Sequence, residues 1–135
     1  MKFIRILNAL HYDPRKERFT SLAFKNSTGG GISVIHQECL LAQNHTPCQH
    51  IEKYYPPPTS SRPPIFWTFD ESVLPSGFGV EQQTTDSGDM CHYNLLGVSD
   101  KAARDLLIRQ PLVAFQICDD NTSRPLATSD FAQRG

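Results

Sequence analysis

The chain has 135 residues, enough for one hydrophobic core and too few for two full domains. It is 39% hydrophobic and 20% charged, near the globular norm, which excludes wholesale disorder. Thirteen basic and 14 acidic residues give a formal charge of -1, which removes the strongest argument for a dedicated nucleic-acid binder.

Residues 3–7 read as a first strand, with Ile4 and Ile6 on one face and Arg5 on the other. Residues 11–18 hold Asp13-Pro14 amid charges and read as a loop, with Arg15, Lys16 and Arg18 as its solvated face. Residues 19–24 fit a second strand. The stretch FKNSTGGGISV then turns at 26–31 into a β-branched third strand at 32–35, and a hairpin across the glycines is expected. Residues 37–43 fit one or two helical turns with Leu40 and Leu41 inward.

Six prolines between positions 44 and 64, including Pro56-Pro57-Pro58, predict an irregular proline-rich surface loop, because proline fixes φ and lacks a backbone donor. IFWTF at 65–69 is the central strand, 80–84 a further one, and DSGD at 86–89 a loop. HYNLLGV at 92–98 is a strand weakened by Gly97. The firmest helix is 99–110: Ser99 caps it, Asp100 suits its positive end, Ala103, Leu106 and Leu107 form the apolar stripe, and Pro111 ends it. LVAFQIC at 112–118 is a buried strand, and 119–135 a polar, frayed tail. The sum is a single α+β domain over 1–135, with a mainly antiparallel sheet of five to seven strands and room for one parallel crossover.

No apolar run approaches the ~18 residues of a membrane span. MKFIRILNALHYDPRK starts like a signal peptide, but Arg5 and Asn8 break its apolar part and no small-residue cleavage site follows. A cytoplasmic location is the expectation, with Cys39, Cys48, Cys91 and Cys118 as reduced thiols.

Four constellations carry chemistry. Lys25, Ser27, Thr28 and Gly29-Gly30-Gly31 supply the ingredients of a phosphate cradle, but a P-loop places its lysine after the last glycine, so a plain turn is preferred. Cys39, Cys48, His50, Cys91 and His92 lack the knuckle spacing of zinc sites, and the adjacent Cys91 and His92 of a strand point to opposite faces. His92, opening a strand, is the candidate acid or base, with Arg5, Tyr12, Lys25, Ser33 and Tyr93 as available partners. Phe66, Trp67 and Phe69, with Tyr54 and Tyr55, can stack bases if exposed, but serve better as core.

The succession FIRI, RFTSLAFK, ISV, HYNLLGV and SDKAARDLL resembles a group of small uncharacterised bacterial proteins sharing an aFk…lSv…H…s..ar.La pattern over roughly residues 1–110. The resemblance implies an intracellular bacterial protein with Phe24, Lys25, Ser33 and His92 at the pattern's positions, and no reaction.

Three functions follow as expectations. The first is binding or acting on a phosphate-bearing ligand, a nucleotide or RNA, as in a small effector of a toxin or defence system; Arg5 and Lys25 bind phosphate, Ser33 donates a hydrogen bond and His92 is catalytic. The second is a protein–protein interaction module using a sheet edge or the proline-rich loop. The third is a zinc-stabilised structural domain. No cofactor is expected, and no membrane partner.

Overall fold

The structure, a computed structural model, describes residues 1–24, 32–55, 63–74, 76–97, 104–105, 109, 114–119 and 122–131. Seven strands form one antiparallel sheet: β1 (Lys2–Leu7), β4 (Ile32–His36), β5 (Ile65–Asp70), β6 (Gly79–Gln82), β7 (His92–Leu96), β8 (Phe115–Asp119) and β9 (Thr122–Pro125). Their order is β6-β7-β4-β1-β5-β8-β9. Two more strands, β2 (Tyr12–Asp13) and β3 (Arg18–Phe19), make a separate two-stranded ribbon. The expected α+β class holds. Every strand pair among the described residues is antiparallel, so the parallel crossover is absent there.

Strand alternation splits the core in two. Phe3, Val34, Trp67, Leu95 and Phe115 face one side, where Tyr12, Phe19 and Phe131 close over them. Tyr12 and Phe131 stack in parallel with ring centroids 3.7 Å apart. Ile4, Ile35, Phe66 and Cys118 face the other side, under α1 (Gln37–Ala42) and α2 (Pro47–Tyr54). The aromatic run of β5 is therefore core and has no free face for bases.

Several expectations are corrected. The proline-rich stretch 44–64 contains α2. Pro47 sits at its first position, where the missing N–H costs nothing, and Thr46 and Gln49 form a reciprocal capping box. Residues 56–62 lie outside the described residues. The 11–18 loop holds the β2–β3 ribbon, and residues 21–24 form a 3₁₀ turn in place of a strand. The glycine stretch therefore joins no hairpin, since β4 pairs with β1 and β7. Its residues 25–31, with Lys25, lie outside the described residues. Leu40 is buried as expected but Leu41 is 65% exposed. The 119–135 tail adds β9, and Leu126 and Phe131 to the core. Of the helix at 99–110 only 104, 105 and 109 are described, the first two helical.

The cysteines are the largest correction. Cys39 pairs with Cys91, and Cys48 with Cys118. Helices of six and eight residues hold poorly on their own. Each is tied instead to the sheet, α1 to the residue preceding β7 and α2 to β8.

At the end of β7, Gly97 adopts φ +93°, and a Cβ there would stand 2.4 Å from the Gly77 carbonyl oxygen. Gly97→Ala combines a backbone clash with left-handed strain, and is expected to lower stability by about 1–3 kcal/mol in thermal unfolding. A Tm equal to that of the parent would contradict both effects.

Candidate ligand-binding site

β1 and β4 pair only at Phe3–His36 and Ile4–Ile35. Beyond that point the Ser33 carbonyl accepts a hydrogen bond from Arg5 Nη1 at 3.0 Å in place of a strand partner. Arg5 Nε and Nη2 donate to the Ala23 carbonyl at 3.4 and 3.3 Å. The guanidinium thus fills a split in the sheet, and no carboxylate pairs with it among the described residues. Burial draws its pKa down to about 10, which leaves it charged at neutral pH. Holding a desolvated cation against carbonyl dipoles alone is costly, so an anion arriving there is favoured.

A pocket of about 220 Å³ lies at this split, lined by Arg5, Ile6, Ser33, Ile35, Tyr55 and His92. β4 brings Ser33 and Ile35 to the same face, and the register sets His92 of β7 opposite Ile35. Tyr55 closes the pocket from the C-terminal end of α2. Three of the four expected site residues, Arg5, Ser33 and His92, therefore meet in one cavity. Lys25 falls outside the described residues.

His92 is buried, with its Nδ1 2.8 Å from the Gln83 carbonyl oxygen. A carbonyl only accepts, so Nδ1 carries the proton in the neutral ring. Nε2 has no partner among the described residues, and His92 lines the pocket. Its lone pair is the free end of the histidine.

Behind Tyr55 lies a cluster that the sequence did not disclose. The Tyr55 hydroxyl donates a hydrogen bond to Asp89 Oδ2, and the Cys91 N–H donates to Oδ1 at 2.9 Å. His50 Nε2 lies 3.0 Å from the same Oδ1, off the ideal hydrogen-bond line, and both residues are fully buried. Burial and the Asp89 hydrogen bond push the Tyr55 phenol far above its ordinary range. For Asp89 burial works upward, but the hydrogen bonds from Tyr55 and Cys91 and the nearby His50 outweigh it and hold the carboxyl below its ordinary value. The cluster spans a helix and a loop far apart in sequence. Its one readable trace was the Thr46-Pro47-Cys48-Gln49 capping signature of α2.

The described residues hold no group of three or more histidine, cysteine or acidic side chains suited to a metal. The disulfides also withdraw Cys39, Cys48 and Cys91, the three thiolates that the zinc expectation would have used. No described helix is long and apolar enough to cross a membrane. No protein-family model, curated protein or solved structure matches the chain, which leaves the functional reading to the geometry of the site.

Proposed function

We propose that this domain binds a small phosphate-bearing ligand in the pocket at the β1–β4 split. The observation that carries the reading is Arg5, a charged guanidinium without a carboxylate partner among the described residues, beside Ser33 and His92. Arg5 attracts the phosphate, the Ser33 hydroxyl adds a hydrogen bond, and His92 Nε2 exchanges a proton with the ligand. Ile6 and Ile35 form the apolar wall. The likeness to the small bacterial group belongs to the same proposal, as does an effector role; in that pattern Ser33 and His92 sit in the pocket and Phe24 packs edge-on to Trp67.

Two disulfides favour an oxidising compartment over the cytoplasmic expectation, because reducing cytosol keeps thiols free. An exported or surface location is part of the proposal.

Arg5→Gln is expected to weaken a nucleoside 5′-monophosphate by about tenfold or more in calorimetric titration, the worth of a charge-assisted hydrogen bond. Arg15→Gln, on the exposed β2–β3 turn, is expected to leave the affinity unchanged. Equal affinity in the parent and Arg5→Gln would overturn the reading.

The interaction-module reading keeps one observation. β9 forms a sheet edge with all four residues exposed, although Pro125 blunts it as a pairing surface.

A further inference from the structure

Resting on the phosphate reading of this pocket, we propose that it selects a terminal phosphate monoester and rejects the phosphodiester of an RNA backbone. The ligand class then narrows from nucleotide or RNA to free nucleotides and other small phosphomonoesters.

The hydrogen-bonding pattern comes first. A guanidinium has five N–H donors, and the Ala23 and Ser33 carbonyls take three of those on Arg5, leaving two without a partner among the described residues. His92 is different in kind. Its Nδ1–H is committed to the Gln83 carbonyl, so the neutral ring offers only an acceptor, Nε2, to the pocket. Phosphate oxygens are acceptors too, and two acceptors meet only with a proton between them. A phosphomonoester has a second pKa near 6, so at neutral pH it brings that proton as P–OH or, as the dianion, holds it on Nε2 with its extra charge. One proton lies between phosphate and imidazole in both forms. A phosphodiester has no P–OH to offer and one charge fewer, so it meets Nε2 only if the ring itself takes up a proton, and it holds that proton less strongly.

Space points the same way. The pocket is small, about 220 Å³ beside Ile6, Ile35 and Tyr55, which suits one phosphate with a small substituent better than a length of RNA chain. A chain of RNA phosphates also needs a basic track. The exposed Arg15, Lys16 and Arg18 belong to the β2–β3 ribbon, and none of them lines the pocket. Among the described residues Arg5 is the one cation lining the pocket.

The test uses the disulfide-bonded protein at pH 7 and two matched probes, phenyl phosphate and methyl phenyl phosphate, titrated by calorimetry. The monoester is expected to bind at least about tenfold tighter. His92→Asn can keep an amide donor for the Gln83 carbonyl while removing Nε2 from the pocket, and is expected to bring the two affinities within about threefold. If that variant fails to fold, the ¹⁵N shift of His92 Nε2 in the parent serves instead, moving with the monoester and staying put with the diester. Equal affinity of the two probes for the parent overturns monoester selection and leaves the phosphate pocket standing. Binding of neither probe overturns the phosphate reading itself. A preference that survives His92→Asn, or an unmoved Nε2 signal, removes His92 from the explanation and overturns the shared-proton mechanism. Tighter binding of a single-stranded RNA oligomer than of phenyl phosphate does the same for the ligand class.

Discussion

Asp89→Ala is expected to destabilise the protein by about 3–5 kcal/mol, a large part of the stability of a domain this size. The carboxylate is fully buried and receives the Tyr55 hydroxyl, the Cys91 N–H and the approach of His50 Nε2. Removing it orphans two donors and leaves a buried imidazole without its partner, which is the expensive way to break such a cluster. His50 Nδ1 has no hydrogen-bond partner already, so the ring has little to fall back on. Urea unfolding of the parent and the variant reads the difference; a loss below about 1 kcal/mol would show that the cluster is not what secures α2.

The same carboxylate predicts a pH signature. Its folded-state pKa is depressed, so its charge contributes stability above the ordinary aspartate value and loses it as pH falls through the depressed one. The gap in unfolding free energy between the parent and Asp89→Asn should therefore stay level from pH 7 to about 5. It should shrink only as the pH drops below about 4. A gap that opens on acidification instead would reverse the sign and refute the assignment.

The pocket was more legible in the sequence than the cluster behind it. Arg5, Ser33 and His92 lie in strands whose alternation is plain, so their elements and faces could be read one residue at a time. That β1 and β4 part after Ile4, and that a guanidinium fills the split, depends on three-dimensional register and left no local mark. Asp89 and His50 had no visible relation because 39 residues and a change of element separate them, by their numbering. Composition misled at α2, where prolines at both ends of a long stretch hid a helix whose own proline occupies the one position a helix tolerates. The cysteines misled for a different reason. Their partners are 52 and 70 residues apart, and pairing at such distances is invisible to spacing rules, so the expected compartment decided the reading.

Those two cross-links carry the other large effect. Loops of 52 and 70 residues correspond, on the chain-entropy account, to about 4 kcal/mol each, since cross-linking distant points restricts the unfolded chain strongly. Replacing Cys48 and Cys118 together by alanine should lower stability by that order, detaching α2 from β8. Replacing Cys39 and Cys91 should cost a similar amount and should also weaken phosphate binding, because Cys91 precedes His92 and its N–H holds Asp89, which in turn holds Tyr55 at the pocket. The two losses should not simply add, because the cross-linked spans overlap along the chain. Thiol titration of the unfolded, unreduced protein should find no free sulfhydryl, and a reductant should shift the unfolding midpoint markedly. Four titratable thiols in freshly purified protein, or a midpoint indifferent to reductant, would refute both cross-links and return the helices to packing alone. If the first cysteine pair proves to matter for binding and the second only for stability, the wall formed by Tyr55 and His92 is held by its nearest covalent tie.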